Sequence, residues 1–538
     1  MKKNVSIYDT TLRDGEQGEG VNFSVIDKVK VALTLDGFGF DYIEGGWPGS
    51  NPKAVEFFKA MREHPLTHAK LAAFSSTRRK NCKAAEDPNL QALLAVKTPV
   101  ATIFGKTWDL HVREALRVPE DENLRMIADT IKYLRSKRRE VIYDAEHFFD
   151  GYKADPDFAL RTIEAAAEAG ASWIVMCDTN GGTMPTEIQD IIAQVKQRIN
   201  LPLGIHAHND TGMGVANAVV AVACGCTQVQ GTINGYGERC GNSDLVQVIP
   251  NLELKYGKRC LPKGHLARLT ELSLTIAERA NQTPDSRQPY VGRSCFAHKG
   301  GIHVSAVRRN KTSYEHVDPG LVGNKTRVLV SEQAGQSNII SKAEELGIDL
   351  KTAPDAVRDV LKRIKRLENE GYEFEGAEAS FELMMRQALG RKKANFFDME
   401  SFRVIVEKRS PEEDCITEAT IKLRVNGGEP VYVVAEGDGP VNALDSALRK
   451  AIRAQHPEVA ETQLTDFKVR ILDPSHHTAA KTRVLIESTD GHDIWSTVGV
   501  SENIIEAAWR ALEDSIEYKL MREADKSKKK LRSRKKKS

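Results

Sequence analysis

Long apolar runs are missing from this 538-residue chain. No stretch approaches the roughly 20 apolar residues that cross a bilayer, and no apolar signal-type segment opens the sequence, so neither a membrane span nor a leader is expected. Cysteine is sparse: eight residues are scattered without a CxxC pair, a usage that fits a reducing cytoplasm. Cys224 and Cys226, two apart in an apolar segment, read as core. There is no Gly-rich loop of the P-loop or dinucleotide type, so ATP or NAD chemistry is not expected. Charge of one sign is also absent, with 77 Lys and Arg against 75 Asp and Glu. The balance is uneven along the chain, however. Residues 525–538, DKSKKKLRSRKKKS, hold nine of the basic residues and one acid, so the rest is net acidic. We expect residues 521–538 to form a basic disordered tail. It has no interleaved aromatics, and nucleic-acid binding is not expected.

What is present suits a soluble globular protein: 41% apolar and 28% charged residues, in a chain long enough for two to four domains. Between residues 5 and 235 short apolar runs recur about every thirty residues, the length of one βα unit. They are VSIYD (5–9), DYIEGG (41–46), KLAAFSS (70–76), VATIFGK (100–106), EVIYDAEHF (140–148), WIVMCDT (173–179), LGIHAHND (203–210) and QVQGTING (228–235). Stretches between them, such as 24–38 and 157–170, have helical spacing. Eight such units predict an α/β fold, a closed (β/α)8 TIM barrel, whose chemistry belongs at the C-terminal ends of the strands. Nearly every run ends in polar residues there.

The first run empties into the loop DTTLRDGEQGEG, where Arg13 sets a cation beside the Asp14 carboxylate. In the seventh, His206 and His208 alternate along a strand and so face the same side. Barrel closure brings the first strand next to the eighth, and GYGERCGN (235–242) supplies Asn242 after it. A carboxylate, two imidazoles and an amide oxygen make a mixed N/O site suited to Mg, Mn or Zn with positions left open for substrate. Non-haem Fe(II) could use the same donors but usually sits on a β-sandwich. The glycines at 235, 237 and 241 are read as turn formers.

YDTTLRDGEQ, HAHND and GYGERCGN together resemble the acyl-CoA-condensing metal enzymes that include the 2-isopropylmalate, homocitrate and citramalate synthases. The resemblance spans about residues 1–515, through FAHKGGIHVSAV (296–307) and SYEHVDPGLVGN (313–324). EGGWPGSNPK (44–53) and GEQGEGVNFS (15–24) resemble the citramalate branch most. The resemblance implies condensation of acetyl-CoA with pyruvate, then thioester hydrolysis, on the route to isoleucine. It implies metal binding by Asp14, His206, His208 and Asn242, with Arg13 on the reacting carbonyl oxygen and Glu146 and Thr179 in the substrate site. His303 and Tyr314 match a catalytic pair that the partner subunit of a homodimer contributes. The family pattern SGIH reads GGIH here, with Gly300 in place of the serine. Pyruvate needs a small apolar pocket, and Ile103 or Phe104, at the end of the fourth run, is expected to limit it. Strand alternation admits only one of the two.

After residue 395 three strand-like runs and a helix occur twice, which predicts a duplicated βββα regulatory domain. The resemblance assigns it an end-product amino acid, isoleucine or a related branched one, and the helix start at EGDGP is a candidate carboxylate holder. The expected organisation is a barrel over 1–275, a mostly helical connector over 276–395, the regulatory domain over 396–520 and the tail. Rival readings are a 2-isopropylmalate or homocitrate synthase on the same machinery, a lyase that cleaves a 3-hydroxy-3-methyl acyl-CoA, and a non-catalytic amino-acid sensor.

Overall fold

The computed structural model describes residues 5–329, 336–345, 354–388, 396–472 and 480–535. They form two compact units: Met1–Phe296 with Glu315–Thr326, and Ala297–Tyr314 with Arg327–Ser538.

The first unit is built on eight parallel strands. These are β1 (Ser6–Asp9), β2 (Tyr42–Glu44), β3 (Lys70–Ser76), β4 (Val100–Lys106), β5 (Glu140–Glu146), β6 (Trp173–Asp178), β7 (Leu203–Ala207) and β8 (Gln228–Gly231). They follow one another around a closed barrel, and β1 pairs with β8 from Ser6 opposite Gln228 to Asp9 opposite Gly231. The eightfold expectation from the sequence therefore holds. Helices cover the outer face, so the strands are buried on both sides and read as near-continuous apolar runs. Several helices start with the same device, a capping side chain followed by proline. Asn51 precedes Pro52, Asp87 precedes Pro88 and Asp155 precedes Pro156, and each cap accepts from a backbone N–H in the first turn. The cap satisfies an orphan donor, and proline brings its φ preset for the helix.

The packing forms two layers. The larger lies between strands and helices and includes Ile7, Ile43, Ile103, Val141, Ile174 and Ile205. The smaller lies inside the barrel, with Tyr8, Tyr42, Ala72, Val100, Ile142 and Val175. Toward the C-terminal ends of the strands buried polar side chains take over, among them Glu44, Asp144, Gln230 and His206.

In the second unit the short strands β9 (Ala297–His298) and β10 (Arg327–Val328) pair in parallel, and Gly301–Arg309, Gln336–Glu345, Pro354–Asn369 and Glu378–Ala388 are helical. Two antiparallel sheets follow. One contains β11 (Phe397–Glu407), β12 (Ile416–Val425) and β13 (Pro430–Gly437), and leads into the helix Pro440–Ile452. The other contains β14 (Gln463–Ile471), β15 (Thr482–Thr489) and β16 (Ile494–Ser501), and leads into the helix Ile504–Lys535. The repeat of three strands and a helix is the expected duplication. Ala419, Ile421 and Leu423 of one sheet and Val484 and Ile486 of the other share a core with Leu444, Leu448, Trp509 and Leu512 of the two helices. The last helix continues to Lys535, where the sequence reading expected an irregular tail from residue 521. No glycine or proline interrupts the segment, and Lys and Arg are good helix formers.

Candidate active site

Arg13 and Asp14 lie in the loop after β1. That loop is tightened by N–H groups of Arg13, Asp14 and Gly15 donating to the carbonyl of Thr10. Arg13 is held on three sides. Its Nε donates to Oε2 of Glu44 at 2.7 Å, Nη1 lies 3.2 Å from Oδ2 of Asp14, and the guanidinium sits 3.9 Å from the ring centre of Phe74. Glu44 is fully buried and also accepts from Tyr8 and Thr10. Burial alone would lower the Arg13 pKa, but Asp14 and Glu44 carry it above its ordinary value. For Asp14 burial works upward; Arg13, then His206 and His208, overturn it and hold the carboxyl well below the usual range.

His206 points inward from β7, and His208 follows just past the strand end. Alternation puts both rings on one side, with Ala207 in the core between them. Their Nε2 atoms lie 3.1 and 3.9 Å from Oδ2 of Asp14. Asp14, His206 and His208 are all buried, and their donor atoms lie within 4.8 Å of one another. Burial presses the His206 pKa downward, but Asp14 raises it overall. His208 is lowered to about 4 by burial and by the charge on His206. Asn242 is tied to this group through the backbone: His208 and Asn242 form an antiparallel bridge, and the Asn209 N–H donates to Gly241. Its buried Oδ1 has no hydrogen-bond partner among the described residues, and neither has Nδ1 of His208. An ionised carboxylate, two convergent imidazoles and an unpartnered amide oxygen fit a divalent cation. The glycines of the loop do more than turn it. A Cβ on Gly237 would lie 2.2 Å from Nδ2 of Asn242, and one on Gly241 would lie 1.9 Å from the Gly235 carbonyl oxygen.

A cavity of about 620 Å³ opens above these residues, lined by Arg13, Asp14, His206 and His208 together with Phe104, Glu146 and Thr179. Of the two apolar candidates on β4, Phe104 faces this cavity, whereas Ile103 is packed in the layer between strands and helices. Phe104 stacks on Phe74 with ring centres 5.3 Å apart and meets Trp47 edge-on at 5.6 Å. Glu146 forms an ion pair with Lys106. Thr179 accepts the His147 N–H at 2.9 Å, holding a backbone with φ of 56° at the end of β5. His303 and Tyr314 belong to the second unit, where their ring centres are 4.4 Å apart and both side chains are exposed. The sequence reading missed Trp47 and Phe74 as wall residues, Asp144, which also lines the cavity, and Gln230 beside His206. The only signal for the last two is polarity inside otherwise apolar strands, IYDAE and QVQG.

An HMGL-like family model matches residues 4–276, a homocitrate synthase post-HMGL domain-like model matches 290–372, and a LeuA allosteric (dimerisation) domain model matches 375–520. The (R)-citramalate synthase of Geobacter sulfurreducens is 54% identical over 96% of this chain and 97% of its own length. That of Aquifex aeolicus is 52% identical over 98% and 99%. The chain belongs to the (R)-citramalate synthase family. A homocitrate synthase of Methanopyrus kandleri is more distant, 34% identical over 68% of this chain and 87% of its own length. The citramalate synthases are enzymes of acyltransferase type, and the family's HMGL-like portion coincides here with the closed barrel. Among the described residues no helix is long and apolar enough to cross a membrane.

Proposed function

We propose that the chain condenses acetyl-CoA with pyruvate and hydrolyses the thioester, giving citramalate and CoA on the route to isoleucine. The observation that carries this reading is the convergence of Asp14, His206 and His208 at one cavity that Trp47, Phe74 and Phe104 also line. A divalent ion, Mg, Mn or Zn, bound by these three residues and Asn242 would supply Lewis-acid polarisation of the keto acid's oxygens.

The chain's own groups account for the rest. A base removes a proton from the acetyl methyl group, and the carbon so formed attacks the keto carbon of pyruvate. A C–C bond forms, and the keto oxygen becomes an alkoxide that takes up a proton. Water then adds to the thioester carbonyl, the C–S bond breaks, and CoA leaves as its thiol. Arg13 faces the developing alkoxide as a fixed charge, already aimed by Glu44 and Phe74 and so needing little reorganisation. Thr179 and Glu146 hold the keto acid and the acetyl end from the strand ends. His303, with Tyr314 beside it, serves as the base from the partner chain. Their mutual contact and their exposure support a role completed by another subunit. Phe104, braced by Phe74 and Trp47, limits the pocket to a methyl group.

The division of labour is a catalytic barrel through about residue 275, a connector to 395 and a regulatory domain over 396–520. The enzyme is a cytoplasmic homodimer, and its C-terminal domain binds isoleucine; the match to a LeuA allosteric (dimerisation) domain supports the dimer and an effector. The test measures CoA release from acetyl-CoA with pyruvate, 2-oxoisovalerate and 2-oxoglutarate in parallel. Pyruvate should give the highest kcat/KM by a wide margin. Phe104→Ala should narrow its lead over 2-oxoisovalerate by roughly 10-fold, the scale of one or two methylenes in an apolar pocket. A preference for 2-oxoisovalerate or 2-oxoglutarate in the unmodified enzyme would overturn the pyruvate assignment and leave the metal chemistry standing.

A further inference from the structure

Directly under the histidines is a pair of polar side chains that the condensation chemistry does not use. Gln230 is fully buried and sits opposite His206 in the β7–β8 ladder. Nδ1 of His206 donates to its Oε1 at 2.8 Å. The Nε2 of the same amide donates to Oδ1 of Asp144 at 3.0 Å and faces Oε1 of Gln228 at 3.5 Å. An amide can normally be turned over, since its oxygen and nitrogen are nearly the same size. Here it cannot be turned without loss. Gln228 is an amide that could turn with it, but the Asp144 carboxylate is an acceptor, and turning the Gln230 amide would set its oxygen against that carboxylate. The amide oxygen must therefore face His206, and Nδ1 must carry the hydrogen. In a neutral imidazole that leaves the lone pair on Nε2, the atom that lies 3.1 Å from Asp14. His208 has no such support, since its Nδ1 lacks a partner among the described residues.

We propose that Gln230, its amide oriented by Asp144, is a positioning residue that fixes the tautomer and ring angle of His206 and so makes it the preorganised ligand of the metal site. This deepens the metal reading given above and rests on it. Gln230 does not touch the cavity, so its effect is transmitted through His206 alone.

The test uses full-length protein stripped of metal, with Mn²⁺ and Zn²⁺ affinities read by competition against a chelating dye. Gln230→Met keeps the volume but removes the acceptor, and should weaken both ions by about 10- to 100-fold, the usual scale for an outer-shell partner of a ligating histidine. Gln230→Glu restores an acceptor opposite Nδ1 and should return most of that affinity. Asp144→Ala frees the amide to turn and should give a smaller loss in the same direction. If the Met variant does not fold, Gln230→Asn, too short to span Asp144 and His206, takes its place. Unchanged affinity in Gln230→Met or Gln230→Asn overturns the proposal while leaving the metal site intact, as does a Glu variant that binds no better than the Met variant. Unchanged affinity in Asp144→Ala overturns the orienting role of Asp144. Failure of the unmodified protein to bind either ion overturns the metal reading and this inference with it.

Discussion

The barrel and the duplicated C-terminal sheets solve the same problem in opposite ways. The barrel closes on itself and is covered by helices, so no strand edge and no sheet face meets solvent. Its interior can then hold charged and amide groups such as Glu44, Asp144 and Gln230, each given a partner. The C-terminal sheets are open, three strands each, with one face in a shared core. The other face of the first sheet exposes Ile405, Tyr432 and Val434, whereas that of the second packs Leu485, Val498 and Val500 against Ile339, Val360 and Phe381 of the preceding helices. The closed sheet spends its interior on chemistry, whereas the first open one leaves apolar surface of the kind that assembly covers. If this division is correct, changes in the barrel should act on turnover and changes in the C-terminal domain on control.

The largest effect is expected at the metal site. His206→Ala and His208→Ala should each lower kcat by about 10³-fold or more, since several kcal/mol of charge stabilisation is lost. The far-UV circular dichroism should be unchanged, and near-normal turnover in both variants would break the assignment. Arg13→Lys should come next, with kcat lower by roughly 10²-fold and KM little changed. Lysine keeps the charge but cannot reach Glu44, Asp14 and the Phe74 ring together. A chain ending at residue 395 should retain some turnover but lose inhibition by isoleucine; inhibition that persists would put the effector site in the barrel.

The smallest effect is one of pH on the barrel alone. Burial pushes the Asp9 carboxyl up to about 7, against two hydrogen bonds from Thr11. The folded chain therefore holds this proton more tightly than the unfolded chain, whose carboxyl titrates near pH ~4. The resulting stability is complete below about pH 4 and is lost as pH rises through about 7. Asp9→Asn should flatten that dependence, read as the difference in Tm between pH 5 and pH 8.

The eight strands could be read directly because burial on both faces writes each of them as one apolar run. The metal donors were legible because they stand at run ends, where polar residues break the pattern. Gln230 and Asp144 were not, since a polar residue inside a strand looks the same whether it supports a ligand or faces a helix. The choice between Ile103 and Phe104 needed the pleat direction, which composition does not carry. His303 and Tyr314 were reached through family resemblance alone. The helical course of 521–535 was hidden by charge, because a run of like charges disfavours packing without forbidding a helix.

Pairing of β1 with β8 also has a consequence for the order of events during synthesis. Asp14 leaves the ribosome well before its partners His206, His208 and Asn242, which lie close to the last strand of the barrel. At usual rates of translation, the carboxylate waits on the order of tens of seconds for the histidines. Until Ser6–Asp9 pairs with Gln228–Gly231, that side of β1 lacks its ladder partner, and an unpaired strand edge invites other chains. Nascent chains arrested before residue 228 should therefore be captured by holding chaperones, and those extended past residue 250 should escape them.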